Sequence, residues 1–190
     1  LIVPLEDSFK WSRSQISLAI SVNIILYGLT APFAAALMER FTVRKVVMAA
    51  LGTVSIGALL TIYMTRPWHF LLLWGVIVGI GTGSMALVFA ATVANRWFIK
   101  RKGLVIGGLT AASATGQLIF LPGLSWLAVH HGWKSVSLIV GSASLIMVPI
   151  IFLFLKESPK HIGHTPYGAD HLYEHPSILK TNAARLAIDT

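Results

Sequence analysis

The sequence predicts an all-α, polytopic membrane protein. The first observation is composition. Of 190 residues, 55% are hydrophobic and only 12% charged, with a mean hydropathy of +0.75. Soluble domains carry about 25% charged residues, so this chain lacks the charge to coat a soluble surface. The second is pattern. Five apolar stretches, about 16–38, 46–65, 69–95, 104–129 and 135–155, contain no Asp, Glu, Lys or Arg. Each reaches the roughly 20 residues that a helix needs to cross the hydrocarbon core. Spanning strands would be about half as long and alternate in polarity, so helices are favoured. The same numbers exclude a disordered chain or a coiled coil. The absence of cysteine excludes a disulfide scaffold, a thiolate zinc site and a cysteine nucleophile.

Taken in order, Leu1-Ile2-Val3-Pro4 reads as the end of an earlier span, and the polar run Glu6–Gln15 follows it. A chain opening on Leu1 rather than Met is expected to be a fragment or a processed piece. The first full span carries Asn23, Tyr27 and Thr30. Asn23 and Tyr27 are four apart and share a helix face. An amide facing lipid is costly, so Asn23, like Gln117 in the fourth span, should face protein or a water-filled cavity. An interhelical hydrogen bond and a substrate-lining position both satisfy that demand.

Arg66-Pro67-Trp68 is expected as a tight polar turn ahead of the third span. That span places Gly75, Gly79 and Gly83 at four-residue spacing, with Thr82, Ser84 and Thr92. The fourth has Gly108, Ala112 and Gly116, with Thr110, Ser113, Thr115 and Gln117. Small residues so spaced form a groove that lets another helix approach closely. Gly79-Ile80-Gly81-Thr82-Gly83 is no nucleotide loop, because no strand precedes it and its surroundings are apolar. Pro32, Pro122 and Pro149 fall within spans, where they remove a backbone donor and favour a kink. His130–Lys134 connects the last two spans.

Charge placement sets the topology. Loops alternate across the bilayer, so one side holds Arg40, Arg44, Lys45, Arg96, Lys100, Arg101 and Lys102. The tail residues Lys156, Lys160, Lys180 and Arg185 join them. The other side holds only Lys10, Arg13, Arg66 and Lys134. The richer side is cytoplasmic by the positive-inside tendency. The net charge of +8 is therefore mostly topology, and no nucleic-acid partner is expected. Trp11, Trp68, Trp97, Trp126 and Trp133 fall near span ends, where indole rings favour the membrane interface.

No carboxylate or cation lies inside a span, so apart from His69 and His130 at span edges, proton coupling or anion neutralisation would have to come from outside this segment. The tail holds His161, His164, His171 and His175, with Asp170 and Glu174 nearby. Imidazoles are common metal ligands. Gly163, Pro166, Gly168 and Pro176 interrupt the set, however, and a solvated His-rich loop is the simpler reading. No metal or cofactor is expected.

Two motifs carry a family resemblance. Ala35-Ala36-Leu37-Met38-Glu39-Arg40-Phe41-Thr42-Val43-Arg44-Lys45 resembles the loop between helices two and three of the major facilitator superfamily, G-x-L-x-D-R-x-G-x-R-R. Leu37, Arg40, Arg44 and Lys45 fit; Glu39 keeps the acidic charge; Ala35 and Thr42 replace glycines. Arg96–Gln117, R-W-F-I-K-R-K-G-L-V-I-G-G-L-T-A-A-S-A-T-G-Q, resembles the fifth helix and its leading loop in the monocarboxylate porter and oxalate/formate antiporter branch. Trp11–Gln15 and Ser158–Gly168 are similar to that branch's approach to helix two and its central loop.

The resemblance implies a six-helix amino-terminal half over 1–155, with helix one mostly missing, and a cytoplasmic central loop over 156–190. The five spans would be helices two to six of twelve. It implies alternating access, a cytoplasmic latch at Glu39, Arg40, Arg44 and Lys45, and a basic loop at Arg96, Lys100, Arg101 and Lys102. The expected function is secondary transport of small organic anions such as monocarboxylates or dicarboxylates. The chain would be multi-pass in a bacterial inner (plasma) membrane, with the lipid bilayer and a carboxy-terminal six-helix half as partners. Candidate cavity residues are Asn23, Tyr27, Thr82, Ser113 and Gln117; Gly75, Gly79, Gly83, Gly108 and Gly116 are candidates for helix packing. The alternatives are a membrane protein without transport activity and a membrane metalloenzyme using the tail histidines.

Overall fold

The computed structural model describes residues 2–85 and 87–155. The tail 156–190, with its histidines and the expected central loop, lies outside the described residues. The elements are α1 (Ile2–Phe9), α2 (Arg13–Arg40), α3 (Val43–Thr61), α4 (Pro67–Phe70), a π-helical stretch (Leu71–Val78), α5 (Gly79–Gly83), α6 (Leu87–Trp97) and α7 (Lys102–Phe154). Among the described residues no strand forms. Helices α2, α3 and α7 are long and apolar enough to cross a membrane.

Local sequence explains the boundaries. Ser12 starts α2 with a reciprocal cap: its hydroxyl accepts from the Gln15 backbone N–H, and the Gln15 side chain accepts from the Ser12 N–H. Arg13 adds an ion pair to Glu6 at 2.9 Å, tying the start of α2 to α1. Thr42 caps α3 through the Lys45 N–H.

Two expectations are corrected here. Pro67 does not sit in a turn; it opens α4 at its first position, where the missing N–H costs nothing. The third span is not one uninterrupted helix. It runs through α4, the π-helical stretch and α5, turns at Ser84-Met85, and resumes in α6.

The 53 residues of α7 would extend about 80 Å if straight, far more than the roughly 30 Å hydrocarbon core. Gly132, at φ +79° and ψ 165°, breaks the run into two arms, 102–131 and 133–154. The expected five-residue connection thus narrows to one glycine in a backbone region that is essentially glycine-only.

Glycines set the packing. A Cβ on Gly75 would meet the Ala19 carbonyl oxygen at 3.0 Å, one on Gly79 the Asn23 Cα at 3.1 Å, and one on Gly83 the Tyr27 carbonyl oxygen at 2.7 Å. Both series ascend, so α2 and the third span run parallel, backbone against backbone. Four residues overshoot a full α-helical turn and undershoot a π-helical one. Joining the two kinds of turn keeps these glycines on one line. The opposite side is equally close: Gly81 faces Ala50 and Val54 of α3, and Gly57 of α3 faces Leu73 and Val78. Gly141 packs on Leu59, and the buried Ser55 hydroxyl donates to the Gly141 carbonyl at 2.8 Å.

The bundle has two distinct ends. At one, Leu5, Ile16, Met64, Phe70 and Trp133 are buried together, with Phe9 stacked on Trp11 at 4.3 Å. Trp133 is thus packed against protein, whereas Trp68 and Trp126 are exposed. At the other end, Met38, Val43, Val46 and Val47 form a core beside Phe89 and Ile151.

Candidate functional site

The basic loops converge at the second end through two arginines that serve helix termini. The last carbonyls of a helix lack intrahelical partners and carry partial negative charge. Arg96, in the last turn of α6, donates to the Met38 carbonyl near the end of α2 at 2.9 Å. Arg44, in the first turn of α3, donates to the Phe152 carbonyl near the end of α7 at 3.4 Å and lies 4.9 Å from the Phe152 ring centroid. Two members of the expected basic set thus bind helices of this same bundle. Glu39, Arg40 and Lys45 are exposed beside them. Arg101 precedes α7 in a left-handed conformation, φ 62°, and Lys100 and Lys102 flank it.

The cavity candidates separate into groups. A cavity of about 380 Å³ opens between α2, α6 and the first arm of α7, lined by Tyr27, Met85, Phe89, Ala90, Leu109, Thr110 and Ser113. It brings Tyr27 and Ser113 together. Neither hydroxyl has a hydrogen-bond partner among the described residues, so both are available to a ligand. The Thr110 hydroxyl donates to Ile106 within its own helix. Asn23 is elsewhere: its amide donates to the Trp74 carbonyl at 2.8 Å, linking α2 to the π-helical stretch. That is the interhelical bond, one of its two readings. Thr82 donates to Val78 within its own span. Gln117 stands exposed on the first arm of α7.

The glycine candidates divide similarly. Gly75, Gly79 and Gly83 touch α2, whereas Gly108 and Gly116 have nothing within 4 Å of a built Cβ among the described residues. Sequence reasoning passed over Phe89 and Leu109 as lining residues. The available signal was that Leu109 and Ser113, four apart, share a helix face. It also passed over Trp74, whose ring lies 6.1 Å from Phe70 and whose carbonyl holds Asn23.

This cavity offers hydroxyls and an aromatic wall but no cation. It is suited to hydrogen-bond a small polar or anionic solute, with any charge neutralisation supplied by groups beyond the described lining.

A family model for the Major Facilitator Superfamily matches residues 1–186. The chain belongs to the Major Facilitator Superfamily. It is 32% identical to the uncharacterized MFS-type transporter YcxA of Bacillus subtilis over 83% of this chain and 39% of that protein. It is 32% identical to human monocarboxylate transporter 7 over 98% of this chain and 36% of that protein. It is 24% identical to a gallate transporter of Pseudomonas putida over 84% of this chain and 35% of that protein. The chain thus spans well under half the length of these curated relatives. The superfamily and these relatives are transporters and not enzymes. Together with the apolar helices, membership makes this Major Facilitator Superfamily chain an integral, multi-pass membrane protein.

Proposed function

We propose that this chain is the amino-terminal part of a secondary transporter for small organic anions, monocarboxylates or dicarboxylates, that works by alternating access. The observation that carries it is the cavity between α2, α6 and α7, where Tyr27 and Ser113 present hydroxyls that no other described group uses. Such an arrangement suits carboxylate oxygens, which accept hydrogen bonds. The human and Pseudomonas relatives are named for a monocarboxylate and for gallate, itself an aromatic carboxylate.

In this reading residues 1–155 contribute the end of helix one and helices two to six, and 156–190 a cytoplasmic central loop. A second six-helix half completes the cavity and supplies the missing cation. The basic end faces the cytoplasm of a bacterial inner membrane. Arg44 and Arg96 hold the helix ends together, while Glu39 and Arg40 stand exposed to meet the second half when the carrier closes.

The test is uptake of radiolabelled monocarboxylates, dicarboxylates and aromatic carboxylates by vesicles containing the complete protein. Saturable uptake of at least one class, competed by unlabelled substrate, is expected. Residues 1–190 alone should show none above empty vesicles. Absence of transport for every class by the complete protein overturns the reading.

A further inference from the structure

A second groove, of about 350 Å³, lies between α2, α3 and α5 toward the basic end, and none of its lining residues belongs to the cavity described above. Its walls are apolar: Leu37 from α2, Phe41 just past its end, Ala49 from α3 and Ile80 from α5. The hydroxyls in it are spent. Thr53 donates to the Ala49 carbonyl at 2.8 Å and Ser84 to the Ile80 carbonyl at 2.8 Å. Along these walls a polar solute would lose its hydration without gaining a donor.

At one end stands Lys45, which lines the groove and whose ammonium has no partner among the described residues. The Arg40 guanidinium lies 5.8 Å from the ring centroid of Phe41, another lining residue, and adds positive charge at the same end. An apolar trough with cations at its membrane-surface end is complementary to one amphiphile: an anionic headgroup joined to a hydrocarbon chain. We infer that this groove binds a single anionic phospholipid, its acyl chain along Phe41, Ala49 and Ile80 and its phosphate beside Lys45.

The test is native mass spectrometry of the complete protein released from nanodiscs with equal phosphatidylglycerol and phosphatidylcholine. Preferential retention of one phosphatidylglycerol is expected. Lys45→Gln should lower that retention about fivefold, the scale of one basic residue at an anionic surface, and Lys45→Arg should preserve it. Ala49 is exposed, so Ala49→Leu and Ala49→Phe add bulk to the groove rather than to the core. Both should reduce retention while Lys45 is intact. Lys134→Gln, at the opposite end, should change nothing.

Equal retention of the two lipids overturns the proposal. So does unchanged retention in both Ala49 variants, which would mean attraction of a headgroup alone. Failure of the wild-type protein to hold any lipid overturns it in favour of a groove covered by protein, such as a helix of the second half.

Discussion

A methyl group on Gly83 would stand 2.7 Å from the carbonyl oxygen of Tyr27 and 2.9 Å from its Cα. The glycine is what lets α5 touch the α2 backbone at the residue that opens into the candidate cavity. Close packing between helices and the position of a cavity hydroxyl are therefore one feature.

Gly83→Ala should destabilise the protein by about 1–3 kcal/mol through overpacking, and should raise the transport KM by displacing Tyr27. Gly52, with nothing within 4 Å of a built Cβ, supplies the contrast. Gly52→Ala should be neutral or stabilise by up to about 1 kcal/mol, since alanine favours a helix interior. Thermal melts in detergent compare them; equal melting temperatures would contradict the close approach.

Tyr27→Phe and Ser113→Ala each remove a hydroxyl with no partner among the described residues, so stability should change by less than about 0.5 kcal/mol. Each should raise KM several-fold if its hydroxyl meets substrate, the loss of a hydrogen bond to a charged group being worth about 1.5–3 kcal/mol at most. Concentration-dependent uptake decides this. An unchanged KM in both variants would remove the cavity from the transport path.

Asn23→Leu should behave in the opposite way. Its amide is already bonded to Trp74, so the substitution should cost about 0.6–1.7 kcal/mol of stability, the range for bonds between membrane helices. KM should stay at the wild-type value. A large KM change with an unaltered melting temperature would return Asn23 to the substrate path.

Arg96 and Arg40 should separate stability from cycling. Arg96→Gln loses a charge-assisted bond to the Met38 carbonyl and should cost about 1.5–3 kcal/mol. Arg40 is exposed, and its one described interaction is with the Phe41 ring. Arg40→Ala should leave the melting temperature nearly unchanged and lower maximal uptake more than apparent affinity. A variant losing affinity at normal maximal rate would speak against a latch.

Gly132→Ala forces a Cβ into backbone at φ +79° and ψ 165°, costing about 1–3 kcal/mol. The strain falls at the break between the two arms of α7, so the yield of monodisperse protein after extraction should drop. An undiminished yield would mean the connection adopts another geometry.

Much of this architecture was legible in the residues. Hydropathy marks the long uncharged runs that form α2, α3 and α7, because runs of that length match the hydrocarbon core, and the spacing of Gly75, Gly79 and Gly83 marks a helix face that another helix can approach. The same spacing at Gly108 and Gly116 meets no described partner, because a small-residue pattern reports that a helix can be approached, not that one is present. Asn23, too, is polar in an apolar setting whether it bonds a neighbouring carbonyl or a solute; only the distance to Trp74 separates these. The break at Ser84-Met85 and the π-helical winding left no mark in hydropathy, since neither changes which residues are apolar.

Residues 75–83 meet main chain on the α2 side, at Ala19, Asn23 and Tyr27, and a mixture of main chain and methyl groups on the α3 side, at Ala50, Val54 and Gly57. Side chains absorb small displacements by changing rotamer, and peptide planes cannot. Between α2 and the third span little compliant material intervenes, so a tilt of α2 should carry residues 75–83 with it; on the α3 side the methyls of Val54, Ile77 and Val78 lie between the backbones and can yield.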